Sequence, residues 1–447
     1  MDTSKQVSVE NERHKLKEVR LGDKRTVPVR WAKHFDRNEH GRNILIEMNM
    51  GAWTICRANA GIGKLGWPRV GILHSFYRSV APSGENVAVQ SQFKALADNG
   101  VDVTLIGVHS DEAITTKLAM VRTGIDFARG VGRIPPAEAQ ISELDVLHLH
   151  NTFPNISHKW LKQVPIPMVA TVHNYRAFCA IGTFTRDEKR CFECADHSVW
   201  RSVAHSCYRN SFFASLPIAI QQSGPNSWAE FLDSLPLTLI PGGPMQRVLR
   251  DLGIRNTRVL LQPVGGLHPA VTKNRDSNAA WLFVGRLDKE KGILDLLRIW
   301  PPGQKLVVVG TGPCDQDSLD LVRSRGLDVE LVGSKSQSEV QVMMEKSRGL
   351  IFPSIALEGA PLVYGESMSV GLPVIAAIGN VLAEQVHIDK TGTTFNLHDS
   401  KSLLLALDVT FTAWEQLSER CIEVHASGYT TSQWLEGIRQ VYESVRV

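Results

Sequence analysis

Two basic side chains follow a short apolar run in the second half of the chain. Arg286 comes directly after the run 281–285, and Lys291 follows about one helical turn later. Guanidinium and ammonium groups are those that proteins use to neutralise phosphate, so this spacing at a strand end predicts a diphosphate site. A solvated loop with surface ion pairs is the other interpretation of the same residues.

A pair of carboxylates lies further along the chain. Glu358 falls in a predicted loop, and Glu366 follows seven intervening residues later, inside the next predicted helix. Carboxylates accept hydrogen bonds from sugar or ribose hydroxyl groups, and the loop amides between the two lie where a helix begins. A glutamate near a helix start is also favoured by the helix dipole alone, so the spacing has a purely structural alternative.

A third segment that could help to bind a diphosphate is the turn 81–86, which contains Gly84 and Glu85. We expect it to face the same cleft from the first half of the chain. An ordinary loop with a helix N-cap is the alternative.

These side chains are predicted to lie at the ends of strands in two α/β domains. In the first half, β-branched runs at 70–74, 101–107, 145–150 and 167–173 alternate with helical stretches. The second half repeats the plan with runs at 281–285, 305–310, 329–333, 350–353 and 373–377. Such alternation predicts two doubly wound parallel sheets, which bind ligands beyond the carboxyl ends of their strands.

The domain boundaries follow from changes in composition. Residues 1–67 are rich in charged residues and lack a sustained period, which predicts a flexible N-terminal extension. Residues 68–264 would form the first Rossmann-like domain and residues 265–430 the second, with Pro and Gly residues near 262–266 as the hinge. Residues 431–447 are predicted to form a helix that packs back on the first domain.

Composition excludes several classes of protein. The 447 residues are 43% apolar and 21% charged with a net charge of +3, which is typical of a soluble two-domain protein and gives little support for nucleic acid as a partner. We find no uninterrupted run of about 18 apolar residues and no secretion signal, so a cytoplasmic location is expected.

Four of the seven cysteines are grouped at Cys179, Cys191, Cys194 and Cys207. Four thiols with one close pair are a workable donor set for a structural zinc ion, and four buried thiols are the alternative. A closed four-sulfur site would brace the loop beside the cleft.

The apolar run 212–220 also allows two interpretations. Phe212, Phe213, Leu216, Ile218 and Ile220 could contact a membrane or an acceptor, but their spacing favours burial by helix packing.

Several motifs in order resemble those of the family-four retaining GT-B glycosyltransferases. They are the run 284–292, the Glu358 and Glu366 motif, and the segment 369–376. In the first half, the segments 77–86, 145–154 and 170–176 are similar to a bacterial subgroup of that family. The resemblance spans about residues 68–425 and implies two Rossmann-like domains that face a cleft.

The resemblance implies a role for each matching position. Arg286 and Lys291 would neutralise the donor diphosphate, which becomes the leaving group. Glu366 would hold the ribose, and Glu358 would hold the transferred sugar, which His173 would reach from the other domain. These four expected catalytic side chains, Glu358, His173, Arg286 and Lys291, are joined by the expected donor-binding residues Gly84, Glu85, Gly333, Gly359, Ala360, Pro361, Leu362 and Glu366.

The resemblance further implies a UDP- or GDP-linked sugar donor, a glycan or lipid-linked acceptor, and no metal requirement for catalysis. The expected setting is polysaccharide or cell-envelope assembly, at the inner face of a membrane where the acceptor is lipid-linked. Ala360 stands where the family usually has an aromatic residue, so a catalytically silent nucleotide-sugar-binding protein remains an alternative. A zinc-ribbon nucleic-acid adaptor is a more remote one.

Overall fold

The computed structural model describes residues 17–20, 26–38, 41–50, 52–59, 66–77, 83–135, 141–224, 227–264 and 278–446. Within these ranges the chain forms two α/β domains, each built around one large sheet. The sequence-based prediction of two doubly wound domains is confirmed.

The strands of the first domain are β1 (Lys17–Arg20), β2 (Thr26–Asn38), β3 (Gly41–Met50), β4 (Trp53–Asn59), β5 (Val70–Phe76), β6 (Val103–His109), β7 (Val146–Leu149), β8 (Met168–Thr171), β9 (Thr185–Arg186), β10 (Lys189–Arg190), β11 (Thr238–Ile240) and β12 (Thr257–Val259). Its helices are α1 (Gly84–Asp98), α2 (Ser110–Ala113), α3 (Lys117–Ala128), α4 (His158–Leu161), α5 (Glu193–Asp196), α6 (Arg201–Ala204), α7 (Phe212–Ser223), α8 (Trp228–Ser234) and α9 (Gly243–Asp251), with a 3-10 turn at Tyr208–Asn210.

The strands of the second domain are β13 (Trp281–Val284), β14 (Leu306–Val309), β15 (Val329–Gly333), β16 (Leu350–Phe352), β17 (Val374–Ala377) and β18 (Gly392–Phe395). Its helices are α10 (Ile293–Ile299), α11 (Asp315–Arg325), α12 (Gln337–Glu345), α13 (Leu362–Ser369), α14 (Val381–Asp389), α15 (Ser400–Thr412) and α16 (Trp414–Val424), with a 3-10 turn at Lys289–Lys291. A π-helical turn, His425–Tyr429, leads into the last helix, α17 (Thr431–Ser444).

Parallel pairing places the strand ends of each sheet at one edge. The first sheet has the order β1-β2-β3-β4-β6-β5-β7-β8-β11-β12, in which β6, β5, β7, β8, β11 and β12 are parallel. The second has the order β15-β14-β13-β16-β17-β18 and is parallel throughout. The loops that follow β13, β15 and β16 therefore share one edge, as the sequence analysis requires for a common site.

Local capping explains where several helices begin and end. Gly100, at φ +75°, follows the last turn of α1, as expected of a glycine just past a helix end. The hydroxyl of Ser336 and the carboxylate of Glu339 form a reciprocal capping box at the start of α12. The hydroxyl of Ser211 accepts a hydrogen bond from the backbone N–H of Ala214 and begins α7.

The prediction that residues 1–67 form a flexible extension is wrong for the strand β4. This strand pairs antiparallel with β6, and Trp53, Ile55 and Ala58 are buried. The apolar side chains of Trp53 and Ile55 alternate with Thr54, a strand pattern too short to stand out in a charged region. Residues 1–16, 21–25, 39–40, 51 and 60–65 of the predicted extension lie outside the described residues.

The C-terminal helix α17 packs on the first domain. Trp434, Ile438 and Tyr442 are buried in the same core as residues of β5 and β6. The hydroxyl of Tyr442 also forms a 2.9 Å hydrogen bond with Nδ1 of His148 in β7. The helix therefore crosses back from the second domain and ties the two together. Of the predicted hinge 262–266, residues 262–264 are described, and residues 265 and 266 lie outside the described residues.

None of the described helices combines the length and the apolar character that a membrane-crossing segment needs.

The burial of β4 in the first domain can be tested by mutation. Ile55 is 0% exposed, so Ile55→Ala should lower the free energy of unfolding by about 2–4 kcal/mol through lost burial and a cavity. Urea unfolding followed by circular dichroism measures this change. Ile388→Ala, at an exposed isoleucine of α14, is the matched control and should change the value by less than about 0.5 kcal/mol. Equal values for the two variants would contradict the placement of β4.

Candidate functional site

Arg286 lies in the turn between β13 and the 3-10 turn 289–291. Its guanidinium pairs with the carboxylate of Asp288 and is 61% exposed. Asp288 also caps the 3-10 turn, because its Oδ1 accepts a 3.1 Å hydrogen bond from the backbone N–H of Lys291. A single aspartate therefore positions both cations that the sequence analysis selected.

Gly292 allows this turn to approach the strand β16. Its φ is +69°, and a Cβ atom there would overlap the carbonyl oxygen of Pro353. Only glycine combines the left-handed backbone with this close approach. The turn that holds Lys291 is thereby packed against the loop that leads to Glu358.

Lys291 and Glu358 form an ion pair. The Nζ atom of the lysine lies 2.8 Å from Oε1 of the glutamate, and the side chains are 29% and 15% exposed. The sequence predicted both residues as site residues but did not predict that they pair. A cation and an anion in contact at a partly desolvated position form a strong polar centre that a charged, hydroxylated ligand can enter.

Gly359 brings this centre against the first domain. A Cβ atom at Gly359 would lie 2.5 Å from the carbonyl oxygen of His173 and 2.7 Å from Sδ of Met245. These distances are shorter than side chains tolerate, so the contact between the loop and His173 depends on glycine. The loop that contains Glu358 therefore touches the backbone of His173, and residues of the two domains meet at this point.

Other contacts between the domains surround this point. The backbone N–H of Leu357 donates a 3.0 Å hydrogen bond to the carbonyl oxygen of Thr183. Lys289 forms a 3.0 Å ion pair with Glu188, and Arg247 pairs with Glu384. Sequence reasoning missed these pairs, because nothing in the local pattern of either residue indicates a partner in the other domain.

His173 lies two residues beyond the end of β8, and its imidazole is held by a second histidine. Its Nε2 atom lies 2.8 Å from Nδ1 of His150. Burial lowers the pKa of His173 to about 3, so the ring is neutral at physiological pH. A neutral ring can donate a hydrogen bond to a sugar hydroxyl, or accept one from it, without adding charge. The nearby His148 has a structural role, because its two nitrogens bond Tyr442 and Thr171.

Glu85 lies in the first turn of α1, beside an open cavity with about 510 Å³ of empty space, part of it continuous with solvent. Its Oε2 atom accepts a 3.4 Å hydrogen bond from Nδ2 of Asn174. Burial raises the pKa of Glu85 to about 7, and the charge of Arg176 opposes this rise. Both protonation states of the carboxyl group are therefore accessible near neutral pH. The neighbouring Gly84 faces the second domain, since a Cβ atom there would lie 3.9 Å from Cδ1 of Leu362.

Sequence reasoning missed several polar side chains that line this cavity. They are Asn151, Asn174 and Arg176, which stand just beyond the ends of β7 and β8. All three fall inside the segments 145–154 and 170–176 that support the family resemblance. Their position at strand ends was the signal that could have identified them.

Glu366 and Gly333 occupy the same edge of the second sheet as the basic turn. Glu366 lies inside α13, accepts a 3.2 Å hydrogen bond from Nε2 of Gln337, and has a pKa raised by burial. Gly333 ends β15 at φ +71°, and its carbonyl oxygen accepts a 2.9 Å hydrogen bond from the N–H of Gly310.

The loop 359–362 lines a second cavity, of about 440 Å³, between the domains. Gly359, Ala360, Pro361 and Leu362 form one wall, and Pro361 is the N-cap residue of α13. Arg286 and Lys291 are not among the residues that line either of the two cavities. The expected donor-binding residues of the second domain thus share one edge of its sheet, while Gly84 and Glu85 lie on α1 of the first domain.

The four grouped cysteines lie near one another in the first domain, as free thiols. Burial, followed by the charges of Cys179, Cys207 and Cys191, raises the pKa of Cys194 to about 12. In the part of the chain that the structure describes, however, no group of three or more His, Cys, Asp or Glu side chains is arranged to hold a metal ion. The four thiols are therefore close to one another without forming a completed metal site.

Solved structures with the same arrangement of two domains are known. The chain is similar to Anabaena Alr3699/HepE in complex with UDP, with a TM-score of 0.53 over 84% of this chain and 100% of that chain at 14% identity. It is also similar to the sucrose-phosphate synthase of Thermosynechococcus elongatus, with a TM-score of 0.56 over 84% and 98% of the two chains at 16% identity. The chain has the GT-B fold. At these identities the similarity concerns the fold alone.

The second domain of this GT-B chain has sequence relatives. Residues 268–424 match the family model of glycosyl transferases group 1. Over 103 residues the chain is 29% identical to the putative colanic acid biosynthesis glycosyltransferase WcaL of Escherichia coli, which covers 22% of this chain and 25% of that protein. It is 27% identical over 146 residues to a glycogen synthase of Mycobacterium tuberculosis, covering 31% and 35%. The chain thus spans about a quarter to a third of the length of these curated relatives.

Proposed function

We propose that this chain is a retaining glycosyltransferase that moves a sugar from a UDP- or GDP-linked donor to a glycan or lipid-linked acceptor. The Lys291–Glu358 ion pair, in a loop whose Gly359 touches the backbone of His173 in the other domain, is the observation that carries the proposal. The group 1 family match of the second domain supports a glycosyltransferase activity, and the motifs that resemble family-four enzymes support retention.

The two cations would act on the leaving group. When the bond between sugar and diphosphate breaks, negative charge grows on the phosphate oxygens, and preformed positive groups lower the energy of that state. Arg286 is exposed enough to reach a ligand, and Lys291 would exchange its contact with Glu358 for one with phosphate. This charge stabilisation needs no metal ion, which agrees with the proposal that catalysis requires none.

Glu358 and His173 would position the sugar. Once a ligand phosphate takes over Lys291, the carboxylate of Glu358 is free to accept hydrogen bonds from sugar hydroxyl groups. The neutral imidazole of His173 would reach the sugar from the first domain, and Glu366 in α13 would accept hydrogen bonds from the ribose. Correct orientation of the donor is itself a large contribution to rate, since small displacements of a reacting group are costly.

The acceptor would bind on the first domain, beside the 510 Å³ cavity that contains Glu85. A lipid-linked acceptor would require contact with a membrane, and the enzyme would then act at the cytoplasmic face in polysaccharide or cell-envelope assembly. The curated relative from Escherichia coli is named for colanic acid biosynthesis, which supports this setting.

Two substitutions separate the proposed roles. Lys291→Ala should weaken binding of UDP or GDP about tenfold and lower donor turnover about 100-fold or more, because a cation next to the diphosphate is lost. Glu358→Ala should abolish turnover yet keep or improve nucleotide affinity, because it frees Lys291 from its counter-ion. Isothermal titration calorimetry with UDP and GDP measures affinity, and release of nucleotide from a panel of donor sugars measures turnover.

Lys401→Ala, at an exposed lysine in the first turn of α15, is the control and should behave as the wild type. Unchanged nucleotide affinity in Lys291→Ala would contradict the diphosphate site. Tight binding of a nucleotide sugar without any turnover by the wild type would favour the silent binding protein instead. NMR of the product reveals its anomeric configuration, and inversion would contradict the retaining mechanism.

A structural zinc ion at the four cysteines is a separate part of the proposal, supported by the proximity of the thiols. Protein purified without chelators should contain about one zinc per chain by elemental mass spectrometry, and Cys194→Ser should lose it. Cys314→Ser, at a buried cysteine of the second domain, should keep it. Less than about a tenth of an equivalent in the wild type would contradict zinc binding.

A further inference from the structure

Seven large apolar side chains are exposed on two helices of the first domain, and five of them recur at helical spacing. Leu118, Val121 and Ile125 recur along α3 at helical spacing, and Leu118 is 79% exposed. Phe213 and Ile220 lie one above the other on α7, and Phe213 is 81% exposed. We call these five residues the apolar face. Large apolar groups exposed together on a folded domain are typical of an interaction site.

The two helices are in direct contact, so the five side chains belong to one surface. A Cβ atom at Gly124 of α3 would lie 3.3 Å from Cγ of Pro217 in α7. Gly124 lies between Val121 and Ile125 in the sequence, and Pro217 lies between the two apolar residues of α7. The exposed stripes therefore flank the line along which the helices meet.

The sequence-based preference for burying the run 212–220 is wrong in part. Ile218 is buried in a small core with Phe127 and Phe153, as a packing role requires. Phe212, Phe213 and Ile220 are exposed instead. The run therefore has two sides, one that packs into the domain and one that is left without a partner among the described residues.

The two segments that contain the apolar face are rich in positive charge. The segments 114–135 and 200–223, which contain α3 and α7, include six Lys or Arg residues and a single acidic residue, although the whole chain carries only +3. Arg122 and Arg209 are exposed, and Nη1 of Arg209 lies 3.5 Å from Sδ of Met120 in α3. An apolar surface bordered by cations complements an anionic lipid bilayer, since apolar groups enter the acyl boundary while cations contact headgroups.

The same two helices line the cavity of the first domain from the other side. Phe127 of α3 and Gln221 of α7 both contact the 510 Å³ cavity that contains Glu85 and His173. A surface bound to this pair of helices would therefore lie next to the proposed acceptor region.

We propose that the apolar face and its bordering cations dock the first domain on an anionic lipid bilayer. Leu118 and Phe213, the two most exposed of the five, enter the headgroup region, and Arg122 and Arg209 contact lipid phosphate. The docking proposal depends only on this surface. The further idea that docking presents a lipid-linked acceptor rests on the proposed function.

The test is flotation of the full chain with vesicles, in the absence of any donor. The wild type should bind vesicles of phosphatidylcholine with about one third phosphatidylglycerol, and bind pure phosphatidylcholine about tenfold more weakly. Leu118→Asp/Phe213→Asp should weaken binding to the anionic vesicles about tenfold or more, because two charges replace the groups that insert. Arg122→Gln/Arg209→Gln should reduce the preference for anionic lipid.

Leu405→Asp is the matched control, because Leu405 is a 64% exposed leucine on α15 of the second domain. It should bind vesicles as the wild type does. Circular dichroism melting verifies that every variant is folded, and calorimetry with UDP and GDP measures the donor site independently. Vesicle binding that persists in a chain unable to bind either UDP or GDP would disprove the proposed function and leave docking intact.

Failure of the wild type to bind anionic vesicles, or equal binding by Leu118→Asp/Phe213→Asp, would overturn the proposal. Light scattering after gel filtration tests the other occupant, a second copy of the chain. A wild-type dimer that becomes a monomer in Leu118→Asp/Phe213→Asp, with no vesicle binding, would assign the apolar face to self-association instead.

Discussion

The contact between Gly359 and the carbonyl oxygen of His173 is the constraint on which the candidate site depends. The backbone of the loop before α13 touches the end of β8 at a distance that leaves no room for a side chain. Because the loop also contains Glu358, this contact determines how far the Lys291–Glu358 ion pair stands from the first domain. A larger residue would separate the acidic and basic groups of one sheet from the histidine of the other.

Several features of the fold maintain that contact. The helix α17 leaves the second domain and packs into the core of the first, where Tyr442 bonds His148. The ion pair between Lys289 and Glu188 and the hydrogen bond from Leu357 to Thr183 lie on either side of the contact. Each pair alone contributes little in water, but together with the buried helix they restrict the relative motion of the domains. The site is therefore a product of the domain arrangement more than of either sheet.

Sequence reasoning succeeded where a physical rule is local. The β-branched runs of both domains became parallel strands, and Arg286, Lys291 and Gly333 stand at the sheet edge to which strand polarity assigns them. It failed where the determinant is distant in the chain. Ile55 is buried because β6 offers an unpaired edge, and Lys291 meets Glu358 because Gly292 packs on Pro353. Neither partner can be read from neighbouring residues. Phe213 illustrates a third case, in which helical spacing was identified but not the side of the helix that remains exposed.

The rate of donor turnover in Gly359→Ala tests the central claim most directly. A methyl group at this position should push the loop away from His173 and lower turnover of the nucleotide sugar about 100-fold, since displacement of a reacting group by roughly 1 Å has costs of that order. Gly243→Ala, at a glycine where a Cβ atom would contact nothing within 4 Å, should keep the wild-type rate. Wild-type turnover in Gly359→Ala would contradict a site assembled by contact between the two domains.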